Sequence, residues 1–423
     1  MEKKSDLEFS FDEIESSLQS KPFYTLFFNL VILSLFFIQA LRVFLPGVYV
    51  ALSHVVFYEN IAENLPILLT LVFFVLPALT NTICKKFGIK RVLVASIYVI
   101  AICRLLIALH LPNIFQTIFS GITVSVYGMF ISTFLTVWIK DEKIDINSSN
   151  KIIFVIFSIM CAFLLDYLIR TIGFSQDISL LPPGLSAEFW YVTQYVWLFI
   201  QIPLTIICIY FTRLYFPRFT ISPDVDDKND QDKKSTRYSL IFVGVGAFWF
   251  LLFNIFLYPN IIAHYTSTNY YVNNILSIVA LIAFILIIFR VKRQTLSNIK
   301  TVAILNGVMI VSLCLFLFLG RILTYIAAIL VFVSMIIMYL NFYLLFVQMS
   351  TINFKWEKVK TISNAFAIGL VFYILFTVLH IFTINWAFII SAFKGLGPII
   401  VLLASVLLVA STIISIHLNP RRE

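Results

Sequence analysis

Apolar residues occur in long runs separated by short polar stretches along the whole 423-residue chain. A helix needs roughly 20 apolar residues to cross a hydrocarbon core of ~30 Å, so the pattern predicts about twelve spans. Their predicted bounds are 22–45, 64–83, 92–110, 114–138, 152–172, 190–212, 239–259, 271–289, 301–319, 322–347, 362–383 and 397–417. The predicted fold class is therefore an all-α polytopic membrane protein with about twelve transmembrane helices.

The first apolar run is longer than one crossing requires, because it continues past Arg42 to Tyr58. Proline removes a helix hydrogen bond and glycine loosens the backbone. We therefore predict that the first helix kinks or ends at Pro46-Gly47.

A charged stretch, 218–237, lies between the sixth and seventh spans and has no apolar periodicity. Its composition is typical of a solvated linker, and it divides the spans into two sets of six. The predicted organisation is a tail, a six-helix bundle, a linker, a second six-helix bundle and a short tail: 1–21, 22–213, 214–238, 239–417 and 418–423. Two joined halves of this size suggest a duplicated transporter architecture.

The basic residues are distributed unevenly across the predicted membrane. Twenty-five of the 30 Lys and Arg residues fall in the two tails and the even-numbered connections. Because basic residues concentrate in cytoplasmic loops, we expect both termini and the linker to be cytoplasmic.

Composition agrees with this prediction and excludes several classes of protein. A hydrophobic share of 61%, 12% charged residues and a mean hydropathy of +0.99 exclude a soluble globular chain. The net charge of +9 is explained by loops facing anionic lipid, so no nucleic-acid partner is expected. The five cysteines form no CxxC pair, and there is no HExxH, GxSxG or P-loop motif. We expect no metal, no cofactor and no enzymatic activity.

The layout resembles the major facilitator superfamily, and one loop supports the resemblance. Between its second and third spans that family carries the pattern G-x-x-x-D-[RK]-x-G-[RK]-[RK]-[RK]. The stretch Asn81 to Arg91 matches it at four positions: Lys86, Gly88, Lys90 and Arg91. Gly88 would permit a tight turn. Lys85 replaces the family's aspartate, so the resemblance does not imply the cytoplasmic latch which that residue forms.

A narrower likeness lies in the first and third spans. Arg42 is followed by Pro46, and Arg104 lies late in the third span. This is similar to the branch that contains cyanate and nitroimidazole transporters, where the Arg-Pro pair of the first helix is contiguous.

Four charged residues lie at similar depth inside the first half: Arg42, Arg104, Asp166 and Arg170. Asp166 is the one acid of 21 within an apolar segment, and Arg170 follows at i+4, where an ion pair can form. Intramembrane charges mark sites or structural pairs. One interpretation is an anion site or a proton-coupling network with Asp166 as the switchable group. The other is a structural cluster in which the carboxylate holds two arginines and the remaining one snorkels outward.

The second half is nearly free of charge within its spans. The resemblance implies that helices one, four, seven and ten line a central cavity. The additional lining candidates are then polar or aromatic residues on those helices: Gln116, Trp249, Asn254, Tyr325, Tyr339 and Tyr343. Polar side chains in membrane helices also hold neighbouring helices together, and this second interpretation applies to each of them.

The predicted function is secondary active transport of a small solute, with an anion favoured because arginines outnumber the acid. The chain would lie in the cell membrane as a multi-pass protein, with lipid, a small-molecule solute and protons as partners. The alternatives are a non-transporting membrane scaffold, a flippase for lipid-linked sugars and a membrane-embedded glycosyltransferase.

Overall fold

A computed structural model describes the first half of the chain and parts of the second. The described residues are 22–58, 65–66, 69–109, 112–140, 148–173, 186–216, 279, 282–287, 290, 304, 307–308, 311, 336 and 358–371. Six α-helices follow in order: α1 (Pro22–Tyr58), α2 (Val75–Phe87), α3 (Ile89–Ala108), α4 (Asn113–Lys140), α5 (Ser148–Gly173) and α6 (Ser186–Tyr215). A 3-10 turn, Thr70–Phe74, leads into α2, and residues 358–371 of the second half are also helical.

The six helices correspond one to one with the first six predicted spans. All described regular structure is helical, which confirms the all-α class. α1, α3, α4 and the combination of the 3-10 turn with α2 are long and apolar enough to cross a membrane by length and composition, and α5 and α6 contain shorter apolar stretches. The linker and most of the second half lie outside the described residues, so the division into two bundles stays a prediction.

α1 corrects one part of the prediction at Pro46-Gly47, because the first helix does not end there; the predicted kink stays a prediction. It continues for 37 residues to Tyr58, about 55 Å at 1.5 Å per residue. Phe44, just before Pro46-Gly47, is buried, and so are Val48 and Ala51, which follow it. Packing of this outer segment therefore outweighs the local preference of proline and glycine.

The hairpin between α2 and α3 confirms the tight turn predicted at Gly88. This residue has φ +86°, a conformation that L side chains rarely adopt. Its N–H donates to the carbonyl of Cys84 at 2.8 Å, and its own carbonyl accepts from Val92 N–H at 3.1 Å. One residue thus ends α2, begins α3 and reverses the chain.

The first half is a bundle in which α1 and α4 occupy central positions. α1 packs on α4, α5 and α6, while α3 packs on α4 and α6. Every residue of α4 from 123 to 138 is buried, whereas Ile114, Phe115 and Gln116 at its other end are partly or largely exposed. A helix is buried on all its faces only when neighbours surround it, so the predicted cytoplasmic half of α4 is enclosed.

The exterior of the bundle is apolar and its interior contains polar groups. Val72, Ile102 and Ile206 are each more than half exposed. In α4 the hydroxyls of Ser125, Ser132 and other buried residues donate to carbonyls one turn earlier in the same helix. This is the arrangement expected in lipid, where backbone and side-chain polar groups must be satisfied internally.

Candidate functional site

Arg104 takes part in a hydrogen-bonded chain that joins three helices. Its Nε–H donates to Oε1 of Gln201 on α6 at 3.0 Å. Gln201 in turn donates through Nε2 to Oε1 of Gln39 on α1 at 3.4 Å. All three side chains are buried. We refer to Arg104, Gln201 and Gln39 as the polar relay.

The polar relay has a fixed direction because a guanidinium group donates and never accepts. Gln201 must therefore orient its carbonyl oxygen toward Arg104. This orientation directs the amide nitrogen of Gln201 toward Gln39. Gln39 then presents its own amide nitrogen, and this buried Nε2 has no hydrogen-bond acceptor among the described residues. The relay therefore ends in a buried donor, a position where an ordered water or another acceptor would be stabilised.

A second cluster lies on another side of α1, where the two halves of the chain meet. Ser34 and Tyr127 share a hydrogen bond of 2.8 Å between their hydroxyl oxygens. The ring of Phe37 stacks on Tyr127 with 4.2 Å between centroids and 13° between planes. Phe366, from the second half, lies 5.9 Å from Phe37 and 6.4 Å from Tyr127. We refer to Phe37, Tyr127 and Phe366 as the aromatic contact.

The polar relay and the aromatic contact face different directions. Residues along a helix turn by about 100° each, so Gln39 is about 200° from Phe37 around α1. Gln39 points to α6 and Phe37 points to α4 and the second half. Arg104 is consequently held inside the first bundle, which favours the structural interpretation of this arginine.

A column of rings continues from Tyr127 along α4. Phe130 lies 5.6 Å from Tyr127, Phe134 stacks on Phe130 at 5.6 Å, and Trp138 stacks on Phe134 at 5.9 Å. Phe216, just after α6, contacts Phe130 and Phe134.

The column ends at a buried lysine of α5. The Nζ atom of Lys151 lies 5.7 Å from the centre of the Trp138 ring, a cation–π distance. The Nε1–H of Trp138 donates to the carbonyl of Lys151 at 3.3 Å. Together with the column, this contact fills the predicted cytoplasmic half of the bundle with side chains.

The other predicted site residues are placed as follows. Asp166 lies on α5 and is 1% exposed. Gln116 is partly exposed near the predicted outer end of α4. Arg42 lies in α1, three residues after Gln39, and Arg170 lies in α5; their side chains lie outside the described residues. So do the candidates of the second half: Trp249, Asn254, Tyr325, Tyr339 and Tyr343.

Sequence reasoning did not find Gln39, Gln201 or the aromatic contact. A signal was available for the glutamines, because each interrupts an apolar run of a predicted span. The partners of Tyr127 carry no such signal, since serine and phenylalanine are ordinary residues of membrane helices. Within the described part of the chain, no group of His, Cys, Asp or Glu residues could hold a metal ion.

No family profile matches the sequence, and no curated protein matches it. Solved structures do match the fold over nearly the whole chain. The fucose:proton symporter FucP of E.coli has a TM-score of 0.57 at 12% identity, covering 93% of this chain and 98% of the symporter.

Two further solved structures match to the same extent. The proton:xylose symporter XylE, of the major facilitator superfamily and bound to 6-bromo-6-deoxy-D-glucose, has a TM-score of 0.57 at 12% identity and covers 96% of each chain. The human organic anion transporter MFSD10 has a TM-score of 0.57 at 11% identity, covering 94% of this chain and 99% of the transporter. This chain is therefore a polytopic membrane protein with the major facilitator fold, as the layout of its spans predicted. The narrower likeness to the cyanate and nitroimidazole branch stays a prediction.

Proposed function

We propose that this protein is a secondary active transporter that moves a small solute across the cell membrane by alternating access. The observation that carries the proposal is the fold, which this chain shares over more than nine-tenths of its length with two proton symporters and an organic anion transporter. The sequence offers no nucleotide-binding motif, so an ion or solute gradient would drive the movement.

The contact between the halves supports this proposal. Phe366 of the second half lies against α1 and α4 of the first half. The distance from Lys140 to Tyr127 along α4 is about 20 Å at 1.5 Å per residue, which places the contact near the middle of the membrane. Alternating access requires two halves that meet at such a level and separate on one side at a time.

The polar groups of the first half support a proton as the coupling ion and an anion as the transported solute. Asp166 is a buried carboxyl on a membrane helix, a residue type that serves proton relays in membrane proteins. Arg42 and Arg170 are candidates for an anion, whereas the hydrogen bond to Gln201 orients Arg104 within the first bundle. We propose an anionic solute with proton coupling as the finer form of the function.

Uptake into proteoliposomes tests the proposal. The purified protein is reconstituted and supplied with an inward proton gradient and radiolabelled L-fucose, D-xylose, lactate, benzoate or phosphate. We expect one of the anions, and neither sugar, to accumulate above its outside concentration and above its level in protein-free liposomes, and an uncoupler to abolish this excess. Equal rates with protein-free liposomes for all five solutes, from protein that elutes as a single species, would argue for the membrane-scaffold alternative.

A further inference from the structure

The aromatic contact includes a glycine whose size decides how closely the halves approach. A Cβ atom built on Gly128 would lie 2.5 Å from Cδ1 and 2.9 Å from Cε1 of Phe366. Real Cβ atoms essentially never approach another atom this closely, so a methyl group at position 128 would require the ring of Phe366 to shift. Phe366 also meets Phe37 and Tyr127, which restricts the positions to which its ring could move.

Burial in the same region favours one conformational state for this contact. All sixteen residues of α4 from 123 to 138 are buried, and this range runs from the level of Phe366 to the predicted cytoplasmic end of the helix. Lys358, at the start of the segment that carries Phe366, is only 1% exposed. Lys358 is thus covered at the predicted cytoplasmic end of its segment, which favours a state in which the halves meet on that side.

We infer that the fit of Phe366 over Gly128 stabilises the cytoplasmically closed state and that Gly128 sets the balance between this state and the cytoplasmically open one. Opening on that side withdraws Phe366 from α4, which leaves space for a side chain at position 128. A methyl group at this position therefore penalises the closed state and leaves the open state unaffected. The inference rests on the alternating-access proposal.

Gly121 supplies a matched control on the same helix. A Cβ atom there would lie 2.7 Å from Cε2 of Phe44, so the steric conflict is of the same kind. Phe44 belongs to α1 and hence to the same half as α4. Gly121→Ala should therefore strain the first bundle without changing the balance between closed and open states.

The experiment measures a distance between the cytoplasmic ends of the two halves. Spin labels are placed on Lys86→Cys and Arg290→Cys, two exposed positions, in a chain whose native cysteines are replaced by alanine. Pulsed electron–electron double resonance then gives the distribution of distances between the two spin labels, in nanodiscs and without any solute. We expect Gly128→Ala to raise the ratio of the long to the short distance by on the order of tenfold and Gly121→Ala to leave it unchanged.

A double-mutant cycle tests whether the shift in the distance distribution depends on the contact between Gly128 and Phe366. Phe366→Ala removes the ring, so we expect it to favour the long distance by itself and to abolish any further effect of Gly128→Ala. Three outcomes would each overturn the inference. The first is an unchanged distance distribution in Gly128→Ala, and the second is an equal shift in Gly121→Ala. The third is a full additional shift when Gly128→Ala is combined with Phe366→Ala. If Gly128→Ala does not fold, an unchanged distribution in Phe366→Ala alone has the same meaning. The distance measurement needs no solute. Failure of the uptake experiment, which tests the proposed function, can therefore be distinguished from failure of the distance shift, which tests this inference.

Discussion

At the scale of single residues, Gln201 is the centre of the polar relay, because it accepts from Arg104 and donates to Gln39. Gln201→Leu leaves the buried Nε–H of the arginine without this acceptor. A hydrogen bond to a charged group contributes ~1.5–3 kcal/mol, so we expect the free energy of unfolding to fall by about that amount. Thermal unfolding of the purified protein measures the loss.

Gln201→Glu is the control for that prediction. A glutamate still accepts from Arg104 but cannot donate to Gln39, so the stability should remain close to that of the unaltered protein. A leucine variant as stable as the glutamate variant would contradict the role assigned to the relay.

Asp166 is buried and lies one turn from Arg170 on α5. If it holds the arginines together, Asp166→Asn leaves buried positive charge without its carboxylate, a change that typically costs ~3–5 kcal/mol. We expect a lower melting temperature and a lower folded yield, whether or not the carboxyl also carries protons during transport. Unchanged stability together with loss of proton-driven uptake would instead assign the residue to coupling.

At the scale of helices, α4 offers a comparison between a buried ring and an exposed one. Phe134 is fully buried in the aromatic column, whereas Phe115 is 48% exposed on the same helix. Phe134→Ala leaves a cavity, and such changes typically cost ~3–5 kcal/mol. We expect a clear fall in melting temperature for Phe134→Ala and little change for Phe115→Ala. Equal effects of the two substitutions would show that the column does not stabilise the bundle.

Most of the helix pattern could be predicted because the bilayer fixes the length of each apolar run. Each of the first six predicted spans overlaps a helix of the structure, and most ends agree to within a few residues, although α2 begins at Val75 rather than at 64. The end of α1 also differs, since packing around Phe44 and Val48 extends the helix through Pro46. The turn at Gly88 was predictable because it depends on one residue and its neighbours.

The sites were harder to predict because they depend on which helices are neighbours. Arg104 was identifiable as a charge in lipid, yet its partner Gln201 is distant in sequence. The close approach of Phe366 to Gly128 joins two helices from different halves. Hydropathy carries no information on either pairing.

At the scale of the whole molecule, the distribution of basic residues predicts the orientation in the membrane. Ser179 lies in a predicted outer loop and Ser235 in the predicted cytoplasmic linker. In a cysteine-free chain, a membrane-impermeant thiol reagent added outside intact cells should label Ser179→Cys and not Ser235→Cys. Labelling of the linker position under the same conditions would reverse the topology.

The central claim is that the two halves open alternately on opposite sides. Ser132 lies one turn from Gly128 on the predicted cytoplasmic side, while Ile114 lies near the outer end of α4. At 100° per residue both are within about 40° of Gly128 around the helix, so both follow the face that meets the second half. Cysteines at these two positions can therefore report access from each side.

The decisive measurement is whether access at one position excludes access at the other. In a chain that carries both cysteines, a bulky thiol reagent is first reacted with Ile114→Cys from the outside. A second thiol reagent is then supplied on the cytoplasmic side, and its rate of reaction with Ser132→Cys is measured. We expect the outer modification to hold the protein closed on the cytoplasmic side and to reduce labelling at Ser132→Cys strongly. An unchanged labelling rate at that position would contradict alternating access.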